Sequence, residues 1–496
     1  MKTTNQNVLV FSLLWLMGCG QQGMENDQSL LAAPPVPTLS ISYQVPRDLP
    51  ADATESDMAV FAWNEFFALN WAASWPEDQR RTTPNVNWDF ATSGAAPQLA
   101  VWETYIHRTE LRPASGLRNQ NLDTGKPVYS FRAGIDSLTF QVTPSDYWVN
   151  LDEDNEIGSC YLYAYDSLEV LYMAKSNLVE YNYVKAKFPT DQLLSLAVNR
   201  GADTVYLKDA TSRNSTCNSD TAYNVVCLPC GSEVDEGAIE IKTAWRFLVP
   251  GKDDPSRFLT KEVVYYPQIR NDSVAVAQTG TMALIGMHII HKTKNYPAFI
   301  FASWEQVDVR NADMKIIGLD TPIVNGNSDP SVDPHMPTPV VDRSIPATLQ
   351  KVNQLAWEMI RSKNPASRWQ FYQLIGVQGT PVDFEQRSAD DNYFMANYVI
   401  ESDLLLTRFH GSFQKPFDTL KNVVYNGRTF DVGGCQGCHG QAQLKGSDFS
   451  FLLDFGAGKP VVTPDPYLSF EQAQKIADPS KLLRFIDVYT TKPTTP

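Results

Sequence analysis

The chain has 496 residues, room for about three domains or two large ones. Its 43% hydrophobic and 20% charged content belongs to a globular protein and excludes a mostly disordered or collagen-like chain. Against 41 basic residues stand 56 acidic ones, and a net charge of −15 repels phosphate backbones, which argues against nucleic acid as a partner; 6 histidines would serve at most three haems with two at every iron.

In chain order, Lys2 precedes an apolar run from Val8 to Met17, the size of a signal-peptide core and too short for a membrane span. The run ends in Leu16-Met17-Gly18-Cys19, which resembles the bacterial lipobox. That implies cleavage before Cys19, a lipid on its thiol, and a protein anchored to a bacterial membrane and facing the periplasm or the cell surface. Gly20, where Asp favours inner-membrane retention in enteric lipoproteins, leans the expectation towards the outer membrane. Residues 19–45, polar and then Pro-rich, read as a tether.

Ser56 and Asp57 are expected to cap a helix with the stripe Val60, Trp63, Phe67 and Trp71, read as core. Gln98 to Tyr105 is expected to be a second helix. His107, beside Arg108 and Glu110, reads as solvent-facing. From about 125 to 305 the chain is rich in short β-type runs. Cys160, Cys217, Cys227 and Cys230 are even in number, so export predicts two disulfides of undetermined connectivity. Lys261 to Tyr266, Thr281 to Lys292 and Ala298 to Trp304 are expected to be neighbouring strands. His288 and His291 are three apart, which on a strand sends them to opposite faces. One hydrogen-bonded core histidine and one surface histidine is the plain reading; the functional one makes His288, deeper in the apolar run, a distal ligand or an acid/base group with Glu305.

Asn325 to Pro339 reads as a linker or surface loop. A helix at 346–363, capped by Ser344 and stopped at Asn364-Pro365, and a strand near Phe371 to Val377 follow. Ser469 and Gln472 make a capping box for a helix near 470–477, with another near 481–489. The fold class is therefore α+β: a signal peptide at 1–18, a tether at 19–45, a mixed, β-rich body at 46–325, a linker or long loop at 326–342 and a more helical haem-binding region at 343–496.

Cys435-Gln436-Gly437-Cys438-His439 is CxxCH, the signature of c-type haem attachment. Two thiols on one turn can each add to one vinyl group, and the adjacent imidazole then meets the iron from the proximal side. Residues 440–496 contain neither Met nor His, so a distal protein ligand comes from upstream or the sixth position is open. The candidates are His410, Met395, Met359, the His335-Met336 pair and His288 or His291.

GMHIIHKT at 286–293, FASWEQVDV at 301–309, FYQLIGVQGTP at 371–381, CQGCH with DFSFLL at 448–453, and FAWNEFFALNW at 61–71 resemble a family of largely uncharacterised bacterial cytochrome-c-like proteins. The resemblance implies one covalent haem c on Cys435, Cys438 and His439, integrated with the body. It also implies that His288 is the more typical of the two strand histidines. Three functions follow as expectations: electron transfer to a redox partner, basic to suit an acidic surface; a peroxidase- or oxygenase-type enzyme with a small-molecule substrate pocket in the large body; or a sensor with structural haem.

Overall fold

The computed structural model describes residues 37–75, 77–118, 121–130, 142–153, 161–165, 168–203, 225–232, 235–266, 277–309, 314–317, 323–324, 345–381, 397, 399–401, 423–425, 428–430 and 433–454. The described residues belong to one unit, Pro35–Pro496. The fold is α+β. The strands are β1 (Ile106–His107), β2 (Asn150–Leu151), β3 (Tyr161–Ala164), β4 (Leu168–Glu169), β5 (Leu171–Ser176), β6 (Ile239–Arg246), β7 (Thr260–Tyr265), β8 (Gln278–His291), β9 (Ile300–Gln306), β10 (Met314–Ile317), β11 (Ile323–Val324), β12 (Tyr372–Gln378), β13 (Val423–Tyr425) and β14 (Arg428–Phe430).

The main sheet runs β1-β5-β6-β8 and then forks along the length of β8. The first half of β8 pairs with β7, which continues to β2; its second half pairs with β9, which continues to β12. Only β2 and β7 are parallel among these pairs. A second sheet takes the order β11-β10-β3-β4, and β13 pairs with β14. The predicted strands at 261–266, 281–292, 298–304 and 371–377 correspond to β7, β8, β9 and β12 within a few residues, because each is an apolar, β-branched run with a clear turn beyond it.

Alternation along the strands gives the sheet two different faces. Met173, Ile241, Met287, Ile289, Ala302 and Trp304 face one side and form its main core with the helices Glu55–Leu69 and Ala347–Lys363. Phe66 stacks on Trp304 at 5.2 Å, and the Trp63 indole donates to Asn353 Oδ1 at 2.9 Å. Burial of these rings, each contributing roughly 1.5–3 kcal/mol, outweighs the modest helix propensity of so aromatic a segment.

Several boundaries differ from expectation. Thr54, not Ser56, caps the first helix: its Oγ1 accepts from Asp57 N at 3.2 Å and Asp57 accepts from Thr54 N at 2.9 Å. Gln98 to Tyr105 is not a helix but one 3-10 turn, Trp102–Thr104. Its 3-10 bonds run from the amides of Glu103, Thr104 and Tyr105 to the carbonyls of Ala100, Val101 and Trp102 and go no further, because Tyr105 turns extended as the chain enters β1, which pairs with β5. The long helix begins at Ala347 with Pro346 at the cap and ends, as expected, at Asn364. The expected linker at 326–342 and the helices near 470–477 and 481–489 lie outside the described residues.

Candidate functional site

The CxxCH motif lies entirely on one helix, Gly434–Leu444. Gly434 starts it at φ 67°, a left-handed turn that costs a residue without a Cβ little. Two glutamines then seat it on the end of β12. Gln436 N donates to Gln378 Oε1 at 3.0 Å, and the Gln378 amide donates to the Gly433 carbonyl at 3.2 Å. The Gln436 amide donates to the carbonyls of Gly379 at 3.2 Å and Ala298 at 3.3 Å. The motif is thus built into the sheet rather than carried on a loop.

His439 is held on three sides. Its Nδ1 lies 2.8 Å from the Phe449 carbonyl, so Nδ1 carries the proton and donates. Nε2, which makes no hydrogen bond among the described residues, is left with its lone pair. The rings of Phe301 and Phe451 flank the imidazole at 4.8 and 4.7 Å. Burial lowers its pKa to about 4, with Lys242 adding to the shift, so the ring is neutral at neutral pH. A neutral imidazole with Nδ1 donating to a carbonyl and Nε2 bare is the state a metal-binding histidine needs.

The sheet face under this helix carries a polar row. Lys242 on β6, His288 on β8 and Ser303 on β9 are directly opposite one another. An apolar cluster lies on either side of the row. Cys435 packs on the one containing Ile290, Phe301 and Phe449, and Cys438 on the one containing Ala244, Ile285 and Val399. Burial raises the Cys435 thiol above its ordinary value and lowers the Lys242 ammonium below its own. His288 Nε2 stands 3.3 Å from Glu401 Oε1, both half-buried. The turn that carries Glu401 is pinned by Asn397, whose amide donates to Ser303 Oγ and to the Trp304 carbonyl, each at 3.0 Å. Val399 and Ile400 press on Gly286, where an added Cβ would lie 2.5 Å from Val399 Cγ2.

His291 points to the opposite face, as its spacing from His288 requires. Its Nδ1 pairs with Glu65 Oε1 at 2.8 Å and its Nε2 with the Glu236 carbonyl. It is His291, not His288, that is fully buried. Burial alone would lower the His291 pKa, but the Glu65 carboxylate overrides it and raises it. Glu305 shares the His288 face two residues along β9 from Ser303, opposite Gly286; the carboxylate in ion-pair range of His288 is Glu401. Met359 sits on the helix that covers the other face, away from His439. His410, Met395, His335 and Met336 lie outside the described residues.

His107 is not solvent-facing. It is fully buried, with Thr109 Oγ1 2.8 Å from Nδ1 and Asp152 Oδ1 3.2 Å from Nε2. The polar neighbours that suggested exposure are engaged inside: Glu110 takes a bidentate pair of bonds from Arg81 at 2.9 and 2.8 Å, and Arg108 reaches Asp152 at 2.8 Å. Cys19, Cys160 and Cys217 lie outside the described residues; Cys227 is buried and outside any disulfide whereas Cys230 is disulfide-bonded, so the two disulfides expected among the four mid-chain cysteines do not both form.

Sequence reasoning passed over Glu401, Asn397, Lys292 and Asp448, which lie far from CxxCH or look like ordinary surface charges. It also passed over Glu180 and Glu240, carboxyls that burial and their neighbours hold above the usual range. A charge at an inward position of an apolar strand, as in Ile239-Glu240-Ile241-Lys242, is the signal that would have found Glu240, and Lys242 with it. Among the described residues no group of three or more His, Cys, Asp and Glu is placed to hold a bare metal ion, and no helix is long and apolar enough to cross a membrane. Compared with family models, with curated proteins and with solved structures, the chain matches none.

Proposed function

We propose that this chain is an exported, lipid-anchored c-type cytochrome that carries one covalent haem and passes single electrons. The observation that carries the reading is His439: neutral, held through Nδ1 by a backbone carbonyl, with no hydrogen bond to Nε2 among the described residues, directly beside two cysteines on the same helix. A c-type haem supplies a one-electron iron couple when bound. The residues fit that group. Cys435 and Cys438 would hold it by thioether bonds, His439 would be its proximal ligand, and the apolar clusters on which the cysteines pack would keep water from its edge.

Within this reading, residues 343–496 are the more helical haem-binding region and Cys19 carries the lipid. The acidic chain, at −15, suits a basic redox partner. The distal ligand is drawn from His288, Met395 and His410.

A second reading, a haem-dependent oxidoreductase of peroxidase or oxygenase type, is favoured by one specific observation. His288 and Glu401 form a half-buried imidazole–carboxylate pair on the sheet face that carries His439. Such a pair can take up and return a proton if a substrate reaches it.

Visible spectra of the oxidised and reduced protein, with and without carbon monoxide, separate the two. A low-spin haem that ignores carbon monoxide supports the electron carrier. A high-spin ferrous haem that binds it overturns that reading in favour of an open-site enzyme, in which His288→Ala would then slow turnover.

A further inference from the structure

We infer that Lys292 and Asp448 form a lock that aims the Phe449 carbonyl at His439, making them positioning residues for the axial imidazole; the inference rests on the haem reading above. After the CxxCH helix the chain reverses tightly. Gly446 N donates to the Gln443 carbonyl at 2.9 Å, and Ser447 donates to the Ala442 carbonyl twice, through N at 3.0 Å and Oγ at 2.8 Å. Asp448 and Phe449 then adopt φ 57° and 65°. Left-handed backbone at two successive non-glycine residues is strained and persists only where the surroundings hold it.

Lys292 supplies that hold. Its ammonium pairs with Asp448 Oδ2, and the same oxygen accepts from Leu228 N at 2.5 Å. Both charged side chains are buried, where water competes little and a lost partner is costly. Lys292 also lies 5.6 Å over the ring of Phe299, which is itself left-handed at φ 65° and packs on Phe449 at 6.5 Å. One cation at the end of β8 therefore ties down both left-handed segments beside the CxxCH helix. The reward is local. The turn places the Phe449 carbonyl on His439 Nδ1 and, two residues on, the Phe451 ring against the imidazole. An aligned Nδ1–H···O=C bond fixes the tautomer and makes Nε2 a stronger donor, which favours the oxidised iron.

The test uses the full-length chain as wild type, Lys292→Met and Lys292→Arg. In the haem-free protein, nitrogen-15 shifts of His439 report the tautomer directly. Wild type and Lys292→Arg should show a single Nδ1–H form, and Lys292→Met an averaged one. In the haem-loaded protein, Lys292→Met should raise the midpoint potential, a tenfold shift in the oxidised-to-reduced balance corresponding to about 59 mV for one electron, and Lys292→Arg should restore it. If Lys292→Met does not fold, Asp448→Asn keeps an acceptor for Leu228 N, removes the charge, and should give the same two changes. A folded Lys292→Met with the wild-type nitrogen pattern, or one that loses stability alone, overturns the lock. A wild-type protein without covalent haem overturns the functional reading instead, and the nitrogen shifts still decide the lock.

Discussion

His288 and His291 stand three residues apart on β8 and hold carboxylates on opposite faces of the sheet. His288 meets Glu401 at 3.3 Å on the CxxCH side, and His291 meets Glu65 at 2.8 Å inside the main core. One strand thus serves two layers. The half-buried pair lies in the polar row beneath the CxxCH helix, while the fully buried pair pins the first helix to the sheet.

Glu65→Gln should destabilise the protein in a pH-dependent way. The pKa of His291 is raised above its ordinary 6.5. The contribution of the pair is therefore complete below that value and is lost as the pH climbs through the raised one. Removing one partner of a buried pair costs about 3–5 kcal/mol, so the urea midpoint should fall most near pH 5 and progressively less at higher pH. A deficit that grows as the pH rises would mean that His291 is not the group being charged.

Gly286→Ala should disturb the His288 face and spare the other. The new methyl would meet Val399 Cγ2 at 2.5 Å, and a stiff valine cannot yield cheaply. The expected cost is about 1–3 kcal/mol, with the Val399–Glu401 turn pushed off the sheet. Ring proton resonances of His288 should shift while those of His291 stay in place. Equal shifts at both would show that the two faces are not separately held.

Gln378→Ala should loosen the seat of the CxxCH helix. It removes bonds to Gln436 N at 3.0 Å and to the carbonyls of Gly433 and Thr380 at 3.2 and 3.3 Å, and leaves buried groups unpaired. The cost should be roughly 1–3 kcal/mol. Faster hydrogen exchange should be confined to the 434–444 helix. Exchange that rises evenly over the sheet would place the role of Gln378 elsewhere.

Much of this was legible in the sequence where a strong local period coincides with burial. Lys261 to Tyr266, Thr281 to Lys292 and the 346–363 helix are such stretches, and each is found within a few residues of its expected bounds. Opposite faces for His288 and His291 follow from the two-residue repeat of a strand alone. What was illegible depends on contacts between distant segments. Glu401 lies 113 positions from His288, its partner at 3.3 Å. Lys292 and Asp448 are 156 residues apart. His107 was misread because charged neighbours suggest solvent, whereas Arg81, Arg108 and Asp152 neutralise that cluster inside the fold. Gln98 to Tyr105 does not continue as a helix because the chain turns extended at Tyr105 to pair Ile106 and His107 with β5, a contact with residues about 70 positions away.

Covalent attachment of haem at Cys435 and Cys438, with His439 beside them, can be tested by one extraction. The full-length protein, expressed with c-type maturation machinery, should be denatured and extracted with acidified organic solvent, with the Cys435→Ala/Cys438→Ala variant alongside. One haem per chain should stay with the denatured wild-type protein and none with the variant. Wild-type protein that releases all its haem on extraction, or a variant that keeps it, would show that these two thiols do not hold a haem.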